Sequence, residues 1–174
     1  VNKWVQVALS GEDEPMATNY INKRIGTCPA NKKNVTKFSV LKGYISKVDT
    51  EKQELQVDVG VFEPKITQAA IALSYLQAQL ADGRKDDLKK IADTYGFQEG
   101  LPASIKITSL EGSEGELWEA EFSVEQLDRI NRWKLSLLDR LIVLGSSKEE
   151  VALVLERTGL NRDVIEVETL GLFE

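Results

Sequence analysis

The sequence predicts an α+β protein built round a five-stranded β-barrel with a helical insertion, flanked by partial α/β segments. Three observations predict this fold. Residues 38–64 contain two apolar segments, the second of which alternates, joined by a polar stretch, which is typical of a β-hairpin. Three later segments, residues 68–74, 103–110 and 117–122, also have strand patterns. Helical patterns fill residues 75–95, between the third and the fourth predicted strand.

The hairpin is the clearest of these elements. Its second strand alternates, and four apolar side chains fall on one predicted buried face: Leu55, Val57, Val59 and Val61. The first strand is apolar on both faces, which predicts strong curvature or cover on both sides. Gly43 and Gly60 lie inside the strands, where glycine marks a bend or a close backbone approach. Pro64 ends the second strand because it has no N–H to donate.

A partial α/β unit is predicted for residues 1–35. Residues 3–9 alternate as a strand, and the acids just before Pro15 favour a helix start, with Gly26 as its end. The lysine-containing residues 27–37 are interpreted as a solvated linker. The chain has no initiator methionine and stops soon after its last predicted strand, which is compatible with a processed chain or with a fragment of a longer protein, and the sequence leaves this choice open.

The C-terminal part, residues 124–174, is predicted to hold helices and one strand. A capping box at Ser123 and Gln126 begins a long helix, which the apolar spacing extends to Gly145. The remaining signals are a second capping box and a final alternating strand: Ser147 with Glu150, and residues 163–170.

Five strands with a helical insertion after the third are the order of an oligonucleotide/oligosaccharide-binding (OB) barrel. Residues 36–123 are therefore predicted to form such a barrel. Within it, the segments KGYI (42–45) and VDVGV (57–61) resemble the first two strands of an S1-type RNA-binding barrel.

The composition closes the commonest catalytic routes. The chain has no histidine, which excludes Ser–His–Asp and Cys–His catalysis and histidine-containing zinc sites in this sequence. Its single cysteine, Cys28, excludes an internal disulfide and a thiolate metal cluster. No phosphate loop or dinucleotide fingerprint occurs. We therefore expect a protein that is not an enzyme and that needs no cofactor or metal.

The predicted nucleic-acid face lies where OB barrels usually bind, on the second and third strands and their flanking loops. Such barrels stack bases on aromatic rings and hold phosphates with basic side chains, and the candidates here are Lys42, Tyr44, Phe62 and Lys65. Asp58 and Glu63 lie among them and would repel phosphate. The alternative is that Tyr44 and Phe62 pack under the helical insertion. The net charge of −6 argues against wrapping DNA or RNA but leaves room for a local basic face.

A second candidate site lies on the long predicted helix. Four residues off its apolar stripe form a predicted partner-binding face: Arg129, Arg132, Trp133 and Arg140. A tryptophan ringed by arginines is typical of interface hot spots for protein or single-stranded nucleic acid. The alternative is that Trp133 covers the barrel and the arginines pair with Asp128, Asp139 and nearby glutamates.

Several short motifs resemble an archaeal family defined by a domain of unknown function, DUF2110. They are spread along the chain: GEDE (11–14), VDVG (57–60), LQAQLA (76–81), YGF (95–97) and NRDVI (161–165). The resemblance implies an archaeal, cytoplasmic protein, and it carries over no catalytic or binding residues.

The predicted function is non-enzymatic binding of nucleic acid, with RNA as the first choice, in archaeal transcription or translation. The alternative is a protein–protein adaptor of the same machinery that docks through the Trp133 and arginine helix face. No membrane partner is expected, because no apolar run approaches the roughly 20 residues that cross a bilayer. The oligomeric state is left open.

Overall fold

The computed structural model describes residues 4–5, 7–24, 26–111, 117–136 and 138–170. The chain divides into two compact units, Val1–Leu135 and Ser136–Glu174. All strands of the described residues lie in the first unit.

Five long strands of the first unit close into a barrel, and a two-residue strand is added to it. The six strands are β1 (Ala30–Asn31), β2 (Val40–Asp49), β3 (Glu54–Glu63), β4 (Thr67–Ala72), β5 (Pro102–Ser109) and β6 (Leu117–Phe122). Around the barrel the order is β2–β3–β4–β6–β5 and back to β2. Neighbouring strands of the closed barrel are antiparallel except β4 and β6, which run parallel. The predicted α+β fold with a five-stranded OB/S1-like barrel is therefore confirmed.

Alternation along the strands fills the barrel with apolar side chains. The buried inward residues include Leu55, Val57, Val59, Ile105, Ile107 and Phe122. The predicted buried face of the second hairpin strand is thus confirmed. Burying one such side chain contributes roughly 1.5–3 kcal/mol, so this interior supplies most of what holds the strands together.

The two strand glycines permit a close approach and a bend. A Cβ on Gly43 would lie 2.2 Å from the Asp58 backbone oxygen on the neighbouring strand, so no side chain fits there. Gly60 has a φ of +70°, and it lies where the pairing of β3 with β4 shifts register. A Cβ there would also lie 2.6 Å from Cβ of Cys28. Both glycines therefore serve the geometry that the sequence predicts.

Five α-helices accompany the strands in the described part of the chain. They are α1 (Glu14–Arg24), α2 (Leu73–Leu80), α3 (Leu88–Tyr95), α4 (Val124–Leu135) and α5 (Lys148–Thr158). None of these helices is both long and apolar enough to cross a membrane.

The helical insertion, α2 and α3, packs at the barrel end that carries the β2–β3 turn. The Gln53 backbone oxygen in that turn accepts the N–H of Leu73 at 2.9 Å. Asp87 caps α3 by accepting the N–H of Lys90 at 2.7 Å, and Gly96 ends the helix at a φ of +70°. The predicted positions of both helices agree with this arrangement to within a few residues.

The segment before β2 is more than the solvated linker predicted for residues 27–37. β1 pairs in parallel with the end of β3, with Ala30 opposite Val61. A short 3₁₀ helix, Lys32–Asn34, follows it, and Val35 is buried. The linker prediction was wrong because the pairing partner, the end of β3, is distant in sequence and leaves no local signal.

The N-terminal unit has its predicted helix, α1, but the predicted strand over residues 3–9 was wrong for the described residues there. Trp4, Val5 and residues 7–9 have no strand structure. Residues 3 and 6 lie outside the described part of the chain. An alternating pattern becomes a strand only where a sheet edge supplies hydrogen-bond partners, and at the end of β3 the described pairing is with β1.

The helix after the barrel is shorter than predicted. α4 ends at Leu135, and described residues from Leu138 to Gly145 are not helical. Beyond the helix end, Ser136 Oγ accepts the N–H of Leu138 at 3.3 Å, a local bond that competes with helix continuation. Of the two hydrogen bonds that make up the predicted Ser123–Gln126 capping box, one is present. Ser123 Oγ accepts the Gln126 N–H, whereas the Gln126 side chain accepts the N–H of Ser104 in β5.

The second unit contains α5 and a short 3₁₀ helix, Leu160–Arg162. The capping box of Ser147 and Glu150 is complete, as predicted, and Gly159 ends α5 with a φ of +73°. The final strand predicted for residues 163–170 was wrong, since all of these residues are described and none is in a strand. An alternating pattern does not by itself supply the neighbouring strand with which a β-strand forms its backbone hydrogen bonds.

Candidate nucleic-acid interface

The outer surface of β2 and β5 brings basic and aromatic side chains together. Along β2, Val40, Lys42 and Tyr44 alternate with the inward residues, so they lie on the outer face. In the ladder with β5, Val40 is opposite Lys106 and Lys42 is opposite Ser104. Directly opposed residues share a face, so Lys42 and Lys106 lie on one surface, which we name the β2–β5 face.

Tyr44 is partly covered on this surface. Its ring makes an edge-to-face contact with the ring of Trp4, with 5.4 Å between centroids. A Cβ built on Gly60 would lie 3.0 Å from Trp4 Cε2, so the indole spans from β2 to the bend in β3. The cover of Tyr44 therefore comes from the N-terminal segment. Lys42 remains exposed, with its side chain passing Gly26.

Phe62 and Lys65, the other two predicted contacts, are set apart from Lys42 and Tyr44. β2 and β3 pair only as far as Tyr44 opposite Asp58. Beyond that point Val61 pairs with β4 on one side and with β1 on the other, so β1 takes the place that β2 leaves. Phe62 is half-buried at the end of β3, and Lys65 follows in the connection to β4. Of the four residues, Lys42 and Tyr44 share the outer face of β2, whereas Phe62 and Lys65 lie at and beyond the end of β3.

The outer surfaces of β3 and β4, where OB barrels usually bind, carry carboxylates. Asp58 projects outward from β3 opposite Tyr44, and its carboxylate accepts the N–H of Gly60 at 2.9 Å. Further along, Glu54 and Glu119 line a shallow groove of about 290 Å³ floored by Ala70 and Ala72. Neither β3 nor β4 contains a lysine or arginine. A phosphate chain would be repelled there.

One exposed aromatic at the edge of the β2–β5 face was missed by the sequence reasoning. Phe38 is 60% exposed, and the ammonium groups of Lys37 and Lys106 lie 5.1 and 5.4 Å from its ring centroid. Lys106 also forms an ion pair with Glu121, at 3.1 Å. The available signal was the pair Lys37–Phe38, a basic residue directly before an aromatic one, which is a combination that nucleic-acid-binding surfaces use.

Family comparison agrees with the motifs along the chain. Residues 35–134 match the DUF2110 central domain, and residues 138–174 match the DUF2110 C-terminal domain. The chain belongs to the DUF2110 family. Among curated proteins no match is found. Among solved structures, the DUF2110 chain is similar to the solution structure of GSP13 from Bacillus subtilis. The two share 12% identity and a TM-score of 0.36, over 68% of this chain and 71% of GSP13.

The predicted partner-binding face of this DUF2110 protein is divided. Arg129, Arg132 and Trp133 lie on α4, but Arg140 lies beyond the helix, in the second unit. The premise that one long helix carries all four was therefore wrong. Trp133 follows the buried residues Gln126 and Ile130 by seven and three positions, so it lies on their side of the helix and is half-buried.

Among the described residues of the DUF2110 chain, no group of three or more cysteine, aspartate and glutamate side chains is placed to hold a metal ion.

Proposed function

We propose that this DUF2110 protein binds single-stranded nucleic acid, with RNA as the first choice, in archaeal transcription or translation, and that it catalyses no reaction. The OB strand order of the barrel supports the ligand class. The observation that carries the proposal is the β2–β5 register, which sets Lys42 and Lys106 on one outer face beside aromatic rings.

The charge distribution determines which face can hold the nucleic acid. The chain carries a net charge of −6, so attraction to phosphate has to be local. Lysines on the β2–β5 face attract the phosphates, whereas Glu54, Asp58 and Glu119 on the β3–β4 side repel them. The bound nucleic acid therefore runs across β2 and β5, away from the usual OB binding face.

The ligand is single-stranded because stacking needs an accessible base face. In an RNA duplex the bases are paired and stacked on one another, and the deep major groove hides their edges. A single strand can present its bases to rings such as Phe38 and its phosphates to lysines.

Titration of a fluorescein-labelled RNA of about 10 nucleotides, followed by fluorescence anisotropy, tests the proposal. We expect the double variant Lys42→Gln/Lys106→Gln to bind more weakly. The slope of log affinity against log salt, between about 50 and 200 mM, should fall by about 0.7 for each lysine removed. The matched control, Lys85→Gln/Lys89→Gln, changes two exposed lysines at the helical insertion and should behave as wild type.

Two results would overturn the proposal. One is the absence of RNA binding by the wild-type protein at the lowest salt, above all if a protein partner is retained through Trp133. The other is equal weakening by the control pair, which would show that net charge alone is responsible.

A further inference from the structure

Phe38 has an unusual setting for a large apolar residue. It is 60% exposed, and its φ of +71° lies in the left-handed region, which a bulky side chain seldom adopts. Such a conformation persists only where the surrounding structure imposes it. Burial does not explain it, because most of the side chain surface is in contact with solvent.

The backbone around Phe38 is held on both sides by hydrogen bonds. The Phe38 N–H donates to the Ile107 oxygen at 2.8 Å, and the Ile107 N–H donates to the Ser39 oxygen at 3.0 Å. The Ser39 N–H donates to the Thr36 oxygen at 3.0 Å, and Ser39 Oγ accepts the Thr36 N–H at 3.1 Å. The ring is therefore presented by an ordered turn fastened to β5, and a ligand meets it at a small cost in conformational entropy.

Two ammonium groups lie over the exposed ring. Lys37 Nζ is 5.1 Å and Lys106 Nζ is 5.4 Å from the ring centroid, both within the range of cation–π attraction. Lys37 is the preceding residue, whereas Lys106 comes from the neighbouring strand. The positive charge thus comes from two separate elements, and it converges on a ring that has no apolar cover.

We infer that Phe38 is a stacking platform for one base of a single-stranded nucleic acid, with Lys37 and Lys106 holding the adjoining phosphates. The inference rests on the proposed function, and it names the residues that contact one nucleotide of the proposed ligand. Each base has an aromatic face, so the subsite accepts any base. When a base stacks on the ring, the ammonium groups are displaced to its rim, where the phosphates lie.

The negative charge of Glu121 weakens phosphate binding at this subsite. Its carboxylate holds Lys106 at 3.1 Å, and both side chains are partly exposed. A phosphate therefore competes with Glu121 for the Lys106 ammonium. That competition weakens the attraction of Lys106 for an isolated phosphate, so the stacked base contributes a larger share of the binding.

The test compares Phe38→Ala with Phe38→Trp and with Tyr20→Ala, using the labelled RNA and its duplex form. Tyr20 is the matched control, because it is 63% exposed and Arg24 lies 5.7 Å from its ring centroid. We expect Phe38→Ala to weaken single-strand binding about 5- to 100-fold with an unchanged salt slope. Phe38→Trp and Tyr20→Ala should keep the wild-type affinity, and Phe38→Trp fluorescence should be quenched by the RNA.

The possible failures separate the inference from the proposed function. If wild type binds RNA and Phe38→Ala binds it equally well, the stacking platform is refuted and the proposed function stands. If wild type binds no RNA at low salt, both are refuted. A loss of duplex binding as large as that of single strand would also refute stacking. Far-UV circular dichroism of each variant shows that the barrel is folded.

Discussion

Single glycines decide how closely the strands and the N-terminal segment can approach. At Gly43 an added Cβ would meet a backbone oxygen, which cannot move aside as a flexible side chain can. At Gly60 it would meet Cys28 and Trp4, which lie over the bend in β3. The positive φ of Gly60 adds a backbone cost that glycine alone avoids. These contacts make the segment before β2 part of the barrel wall.

Gly60→Ala should destabilise the protein more than Gly83→Ala. Both glycines have similar positive φ values, +70° and +76°, so alanine adds similar backbone strain at each. The space around a Cβ at Gly83 is empty within 4 Å, whereas Gly60 faces Cys28. We expect crowding to add about 1–3 kcal/mol of destabilisation at Gly60, measured by urea unfolding. Two results would contradict crowding by Cys28. One is an equal loss of unfolding free energy in the two variants, and the other is no recovery of stability when Cys28→Gly is added to Gly60→Ala.

At the level of elements, the β2–β3 hairpin is held by one carboxylate at its turn. Asp49 is buried, and its oxygens accept from Lys47 Nζ at 2.6 Å and from the N–H groups of Glu51 and Lys52 at 3.1 Å. The hydrogen bond from Lys47, followed by the one from the Lys52 N–H, lowers the pKa of Asp49 below its ordinary value. The ionised form therefore stabilises the folded turn.

Asp49→Asn should destabilise the protein in a pH-dependent way. A lowered folded-state pKa contributes stability that is present above the ordinary pKa of about 3.9 and is lost as pH falls through the folded-state value. The difference in unfolding free energy between wild type and Asp49→Asn should be largest near neutral pH and shrink below about pH 4. Urea unfolding from pH 7 downward measures it. The control is Asp93→Asn, a change at an exposed position on α3, which should not produce this difference in unfolding free energy. If the difference for Asp49→Asn stays the same in acid, the ionised carboxylate of Asp49 does not stabilise the turn.

At the scale of the whole molecule, the barrel unit separates charges of opposite sign onto two outer faces. Lysines lie on the β2–β5 face, and carboxylates line the groove beside β4. The net charge of −6 means that a polyanion approaching at random is repelled. The separation of charges therefore orients an incoming nucleic acid toward the β2–β5 face, while the net negative charge weakens the overall attraction between protein and nucleic acid.

Removing the groove charges should strengthen RNA binding at low salt. Glu54→Gln/Glu119→Gln lowers the repulsion without touching the β2–β5 face, so we expect a gain of a few-fold at about 50 mM salt. The gain should fade by about 200 mM, because screening shortens the range of the field. Anisotropy titrations at both salt concentrations measure the change. Weaker binding by this variant would place the RNA on the groove side and refute the proposed face.

The sequence by itself determined the elements whose signals are local. The hairpin, the helical insertion, the capping box of α5 and the sequence order of the five barrel strands all follow from periodicity and turn chemistry over short stretches. The tertiary structure alone decided what depends on pairing between distant residues. β1 separates Phe62 from Tyr44, and the β2–β5 register brings Lys106 to Phe38. Alternation specifies which residues share a face, as Lys42 and Tyr44 do on β2, but not which strand lies beside them.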